Sequence, residues 1–335
     1  MAGELMNTPL GGILHRTTGG LMANSESLPA LDSFAPGHKF FVGIDSDGCV
    51  FDSMEIKHKE CFCPEFINHY GLQPASRYAR EVWEFVNLYS QTRGINRFKA
   101  VLLALGFARS RREIVEREVD VPVLDNLAEW VAGESRLGNP QLETAIAEAR
   151  SPDGGPESER LAELERVYRW SLDVNAAVKR IVRNVPPFPG VRESLRRLDG
   201  TADVVVVSQT PTEALLREWQ EHAIDSRVAL IAGQELGTKS DHLVATAGVA
   251  GRYEADHVLM IGDAPGDLEA ARRVGALFYP VLPGREEESW KRLTDESLDA
   301  FLSASYAGSY ESALIDEFSQ VLPADPPWQS VPEAG

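Results

Sequence analysis

The sequence predicts an α/β protein, a doubly wound parallel sheet with an α-helical unit inserted after the first strand. Three observations carry this: short apolar runs that end abruptly in polar residues, helix-forming stretches that alternate with them, and a long segment of helical periodicity containing no such run.

Residues 1–37 mix Gly, Ser, Thr, Asn and Pro without a sustained period and read as a mobile arm. Residues 38–54 and 186–322 read as the α/β core. Phe40-Phe41-Val42-Gly43-Ile44 is the first strand, buried on both faces and ending in Asp45. Residues 55–185 read as the inserted helical unit, where Leu164, Val167, Val174, Val178 and Ile181 form an apolar stripe at helical spacing. Ser151–Pro156 breaks that unit, and Pro186-Pro187-Phe188-Pro189-Gly190 returns the chain to the alternating pattern. Val204–Val207 then ends in Ser208, Val228–Ala232 in Gly233 and Val258–Ile261 in Gly262-Asp263, with Leu277–Val281 a fifth, weaker strand. Helices are expected at Val191–Leu198, Thr212–Gln220, Ser240–Ala247 and Asp267–Val274, the last closed by Gly275. Glu286–Val321 reads as further helices and residues 323–335 as a tail.

Composition excludes several function classes. Among 335 residues, 33 basic side chains against 51 acidic ones leave a net charge of −18, which opposes binding to nucleic acid or an anionic membrane surface. No apolar run approaches the roughly 18 residues of a membrane span, and the N-terminal residues do not read as a secretion leader. Three cysteines, Cys49, Cys61 and Cys63, suit a reducing compartment, so a cytoplasmic chain is expected. Cys61 and Cys63 read as packing residues. The sequence sets no oligomeric state.

In an open parallel sheet ligands sit beyond the carboxyl ends of the strands, where Asp45, Ser208 and Asp263 fall. Asp45-Ser46-Asp47-Gly48 places two carboxylates at one strand tip, and Asp263 and Asp267 form a second acidic pair at another. Carboxylates gathered from two loops need a counter-charge, and their hard oxygens suit a divalent cation such as Mg2+. Asp267 also reads as a possible helix N-cap.

These residues, FFVGIDSDG ending at Gly48, VVVVS ending at Ser208, Lys239, and GDAPGD, resemble the haloacid dehalogenase superfamily of phosphotransferases in order and in placement. The resemblance implies a Rossmann-like core with a helical cap, and a phosphatase acting on a small phosphorylated metabolite. It implies that Asp45 attacks phosphorus and forms an aspartyl-phosphate, and that Asp47 serves as general acid and then base with a pKa nearer neutrality than an exposed Asp. It places Ser208 and the backbone N–H groups of Gln209 and Thr210 on the transferring phosphoryl group, with Lys239 as a fixed cation beside it. It assigns Mg2+ to Asp45, the Asp47 carbonyl, Asp263 and Asp267, the last directly or through water. Asp47 separates the chain from the dehalogenase branch, and transport ATPases need membrane helices that this sequence does not predict.

In the cap, Thr92-Arg93-Gly94-Ile95-Asn96-Arg97-Phe98-Lys99 resembles a loop of the beta-phosphoglucomutase-like branch, which makes Arg93 and Arg97 candidates for gripping an anionic substrate. Lys57 stands where that branch carries a histidine that assists proton transfer, a departure that argues against mutase chemistry and adds Lys57 to the substrate-binding candidates. A phosphomutase, a phosphonate hydrolase using Lys57 in a Schiff base, and a non-catalytic module that binds phosphorylated ligands are the competing readings.

Overall fold

The structure is a computed structural model that describes residues 31–150, 159–249 and 251–329. Residues 1–30 of the expected arm, the break at Ser151–Pro156 and residues 330–335 of the expected tail lie outside the described residues.

Among the described residues five strands form one wholly parallel sheet: β1 (Phe40–Ile44), β2 (Ala202–Val207), β3 (Leu230–Ala232), β4 (Val258–Gly262) and β5 (Leu277–Pro280), in the order β3-β2-β1-β4-β5. β1 lies at the centre, with Ile44 opposite Val206 of β2 and Ile261 of β4. Side-chain alternation splits its burial: Phe40, Val42 and Ile44 enter the core on one face, while Phe41 packs on the other beside Val205, Val207 and Leu243. This is why the runs are continuously apolar. Strand order reverses between β1 and β4, the position beyond whose carboxyl ends open parallel sheets bind ligands, and Asp45 and Asp263 follow directly there.

β3 is shorter than expected, because Val228 follows the tight turn Asp225–Arg227 and only Leu230–Ala232 pairs with Val205–Val207. Between β1 and β2 the chain builds helices with a separate apolar core, in which Phe66, Trp83, Phe98, Val167 and Trp170 are fully or almost fully buried. Cys61 and Cys63 are free thiols buried in that core. The strand-like crossings to and from this unit lie side by side, since Phe51 bridges Pro187 and the Phe188 amide donates to the Val50 carbonyl at 2.9 Å. Leu31, in the expected arm, is buried against the sheet, and the Gly37 and His38 amides donate to Asp203. Among the described residues no helix is long and apolar enough to cross a membrane.

Candidate active site

The loop after β1 is bound from both sides. The Trp219 indole donates to Ser46 Oγ at 3.1 Å and the Trp290 indole to the Cys49 carbonyl at 2.7 Å, while the Val50 and Phe51 amides return to the Ser46 carbonyl. Gly48 completes the turn at φ +75°, and a β-carbon there would lie 2.6 Å from both Arg93 Nη2 and Asp263 Oδ2. Only glycine gives both the left-handed backbone and the space for that approach.

Asp45, Asp263 and Asp267 converge at the tips of β1 and β4 with carboxylate oxygens within 4.8 Å of one another, all three buried. Lys239 opens the helix Lys239–Thr246, whose first turn is fixed by the reciprocal bonds of Thr238 and Asp241. Its ammonium lies 2.8 Å from Asp45 Oδ2 and donates to Asp267 Oδ1 at 2.6 Å. Asp267 also accepts the Ala264 amide at 3.0 Å, so both of its oxygens have donors; it is the third residue of helix Pro265–Val274, and Ala264 rather than Asp267 is the N-cap. Asp263 Oδ2 faces the Nε and Nη2 groups of Arg93, each at 2.7 Å.

Two oxygens of this cluster, Asp45 Oδ1 and Asp263 Oδ1, are buried without a hydrogen-bond partner. Burial drives the Asp45 carboxyl well above its ordinary value even though Lys239 opposes the rise, and burial raises Asp263 against the pull of Arg93. Burial alone would lower the Lys239 ammonium, but Asp267 and Asp45 hold it above its ordinary value. Three carboxylates against two cations leave one negative charge uncompensated. The two orphaned hard oxygens therefore fit a divalent cation.

Asp47 stands in a different environment. Lys57 Nζ donates to its Oδ1 at 2.5 Å and Thr210 Oγ1 to its Oδ2 at 2.5 Å, and Ser53 Oγ adds a third bond. Burial works to raise this carboxyl, but the Lys57 ammonium and the hydroxyl donors outweigh it and hold it at about 2. The expected drift toward neutrality is therefore overturned by a buried cation. Lys57 is itself raised, because Asp47 and Glu218 outweigh its desolvation, and it sits at the start of a π-helical turn, Lys57–Phe62.

Ser208 is buried at the tip of β2, its Oγ accepting the Thr210 amide at 3.2 Å. The Gln209 side chain donates to the Gly237 carbonyl. Arg93 reaches the acidic cluster and Arg97 does not. The Arg97 guanidinium donates to Ser171 Oγ and Asn175 Oδ1 and lies 5.0 Å over the Phe62 ring, inside the helical unit.

Glu218 escaped the sequence reading. It is buried with Oε1 3.4 Å from Lys57 Nζ and Oε2 unpartnered, and burial raises it to about 7 against the opposing pull of Lys57. The signal was present: Leu215, Glu218 and Trp219 share the buried face of one helix, and an acid on such a face needs a reason to be there.

Residues 143–281, which include Ser208, Lys239, Asp263 and Asp267, match the family model of haloacid dehalogenase-like hydrolases. No curated protein matches the chain. Among solved structures, a haloacid dehalogenase-like family hydrolase from Xanthomonas campestris is 13% identical, covers 80% of this chain and 94% of its own, and superimposes with a TM-score of 0.40. A haloacid dehalogenase-superfamily hydrolase of subfamily IA from Geobacter sulfurreducens is 17% identical over 73% of this chain and 88% of its own, with a TM-score of 0.35. A predicted phosphoglycolate phosphatase from Haemophilus somnus is 14% identical over 73% and 86%, with a TM-score of 0.37. Three of the four motifs gathered at the switch point of the sheet lie inside the matched segment, and over residues 143–281 the chain is similar to the haloacid dehalogenase-like hydrolases.

Proposed function

We propose that the chain is a Mg2+-dependent phosphatase that hydrolyses a small phosphorylated metabolite through an aspartyl-phosphate on Asp45. The observation that carries this reading is Asp45 itself: one oxygen is held by Lys239, the other is buried and unpartnered, and the carboxylate belongs to a buried cluster in which Asp263 also keeps an unpartnered oxygen. A bound divalent cation would neutralise the anionic cluster and draw substrate phosphoryl oxygens toward Asp45. Asp45, the Asp47 carbonyl and Asp263 would hold it, with Asp267 occupied in orienting Lys239.

The side chains divide the remaining work. Asp45 attacks phosphorus, and Lys239 and Ser208 stabilise the charge on the transferring oxygens. With Lys57 against it, Asp47 is anionic, the form that takes a proton from the water attacking the aspartyl-phosphate. Its acid form, which protonates the leaving oxygen, needs Lys57 drawn back, and Lys57 belongs to the segment 55–185 that we propose is a cap moving relative to the core of residues 38–54 and 186–322. Arg93 and Lys57 would be the cap cations that meet an anionic substrate. We further place the protein in the cytoplasm, which its three free buried cysteines suit.

Turnover of an aryl phosphate with Mg2+ tests the proposal. Activity that disappears in Asp45→Asn and on chelation is expected. Equal turnover by native protein and Asp45→Asn would overturn the nucleophile.

A further inference from the structure

The C-terminal segment leaves the core and lies on the helical unit. Helix Ser309–Val321 ends on the sheet, where Phe318 and Leu322 are buried beside Phe41 and Phe278. Beyond it, Trp328 packs against Phe85 with ring centroids 5.3 Å apart and Phe107 at 6.3 Å, both edge to face. The Arg111 guanidinium stands 4.4 Å over the same indole and is itself buried and held by Glu81 and Glu113. Between these anchors the Pro323 carbonyl accepts the Gln91 amide at 3.2 Å.

Gln91 belongs to the turn that delivers Arg93. The Arg93 amide donates to the Ser90 carbonyl at 2.9 Å, Ser90 and Thr92 share a hydroxyl bond at 2.8 Å, and Thr92 Oγ1 donates to the Val86 carbonyl at 2.7 Å. Arg93 then spans from this turn to Asp263, with its Nη1 group on the Leu88 carbonyl at 3.0 Å.

We infer that Pro323–Trp328 is a positioning strap that fixes the Ser90–Arg93 turn and thereby aims Arg93 at Asp263. The helical unit is joined covalently to the core at two adjacent crossings, near Phe51 and Pro187, and the strap adds a third tether at the turn itself. Trp328 supplies the attachment through ring contacts and a cation over its face, and Pro323 supplies the single bond that grips the turn. A segment that merely covered apolar surface would leave Gln91 indifferent to Trp328.

Residue-resolved amide hydrogen exchange on the full chain distinguishes the two. In Trp328→Ala the Gln91 and Arg93 amides should exchange at least about tenfold faster, while the Ala100 amide inside its helix keeps its native rate. Trp328→Phe should restore most of the protection, and Trp328→Leu, which keeps apolar bulk without the aromatic face, should fall between. Native protection of Gln91 in Trp328→Ala or, should that variant not fold, in Trp328→Leu overturns the strap. A kinetic arm rests on the phosphatase reading: KM for an aryl phosphate should rise severalfold in Trp328→Ala and recover in Trp328→Phe. Faster Gln91 exchange with an unmoved KM overturns the positioning of Arg93. Absence of turnover in the native protein defeats the phosphatase reading and leaves the exchange result to decide the strap.

Discussion

Arg93 and Asp263 meet across the helical unit and the sheet, two guanidinium N–H groups closing on one carboxylate oxygen at 2.7 Å with both side chains almost wholly buried. The pair joins the turn at Ser90–Arg93 to the tip of β4, on the carboxylate whose other oxygen is free. Arg93 is therefore a fixed positive charge at the place proposed for a divalent cation, and the two compete for the same negative charge.

Removing that charge should strengthen cation binding. Arg93→Met is expected to bind Mg2+ about tenfold more tightly by calorimetric titration, within the range of coupling energies between neighbouring charges. In the absence of Mg2+ the same variant should lose about 3–5 kcal/mol of stability, because Asp263 is left buried and unpaired. Added Mg2+ should return part of that loss as a higher melting temperature. Unchanged or weaker Mg2+ affinity would refute the competition.

Glu218 should leave a signature in the pH dependence of stability. Burial raises its folded pKa to about 7, above an unfolded value near 4.5, so between those pH values the folded chain holds a proton that the unfolded chain has released. Stability attributable to this group is full below about pH 4.5 and falls as pH rises to about 7, then stays level. The loss is on the order of 3 kcal/mol, from the size of the shift. Glu218→Gln removes the ionisation, and denaturant titrations of that variant should flatten the decline across this window. A decline identical to native would place the ionisation elsewhere.

The strand tips were legible because a doubly buried parallel strand must be continuously apolar and must stop where the chain meets solvent or a ligand, so Asp45, Ser208 and Asp263 stand out against the runs before them. Lys239 was found by order alone, and its placement depends on the capping of its helix by Thr238 and Asp241, a local signal. The contacts of the helical unit were not legible. Arg93 and Arg97 occupy one short segment with the same chemistry, yet one reaches Asp263 and the other turns inward to Ser171 and Asn175, a difference decided by the packing of distant helices. The environment of Asp47 was missed for the same reason: its governing neighbours, Lys57 and Thr210, arrive from separate segments.

Lys57 should resist Schiff-base chemistry. An amine attacks a carbonyl only when neutral, and Asp47 and Glu218 hold this one protonated, above its ordinary value despite burial. Borohydride added with a phosphonate aldehyde should leave Lys57 unmodified by peptide mass mapping at neutral pH. A reduced adduct on Lys57 would revive the phosphonate hydrolase reading.

Gly48 couples backbone geometry to the whole cluster. Its φ of +75° lies where a side chain costs about 1–2 kcal/mol, and the added carbon of Gly48→Ala would meet Arg93 Nη2 and Asp263 Oδ2 at 2.6 Å. Relief can come only by moving the guanidinium and carboxylate apart or by shifting the loop that carries Asp45 and Asp47. Either displaces reacting groups by a sizeable fraction of an ångström, so kcat for an aryl phosphate should fall by about 10²-fold while the variant still folds cooperatively. The control is Gly71→Ala, which shares the left-handed backbone at φ +70° with open space around its added carbon, and should lose stability alone. Equal kcat in the two variants would show that the close approach at Gly48 has no bearing on the chemistry.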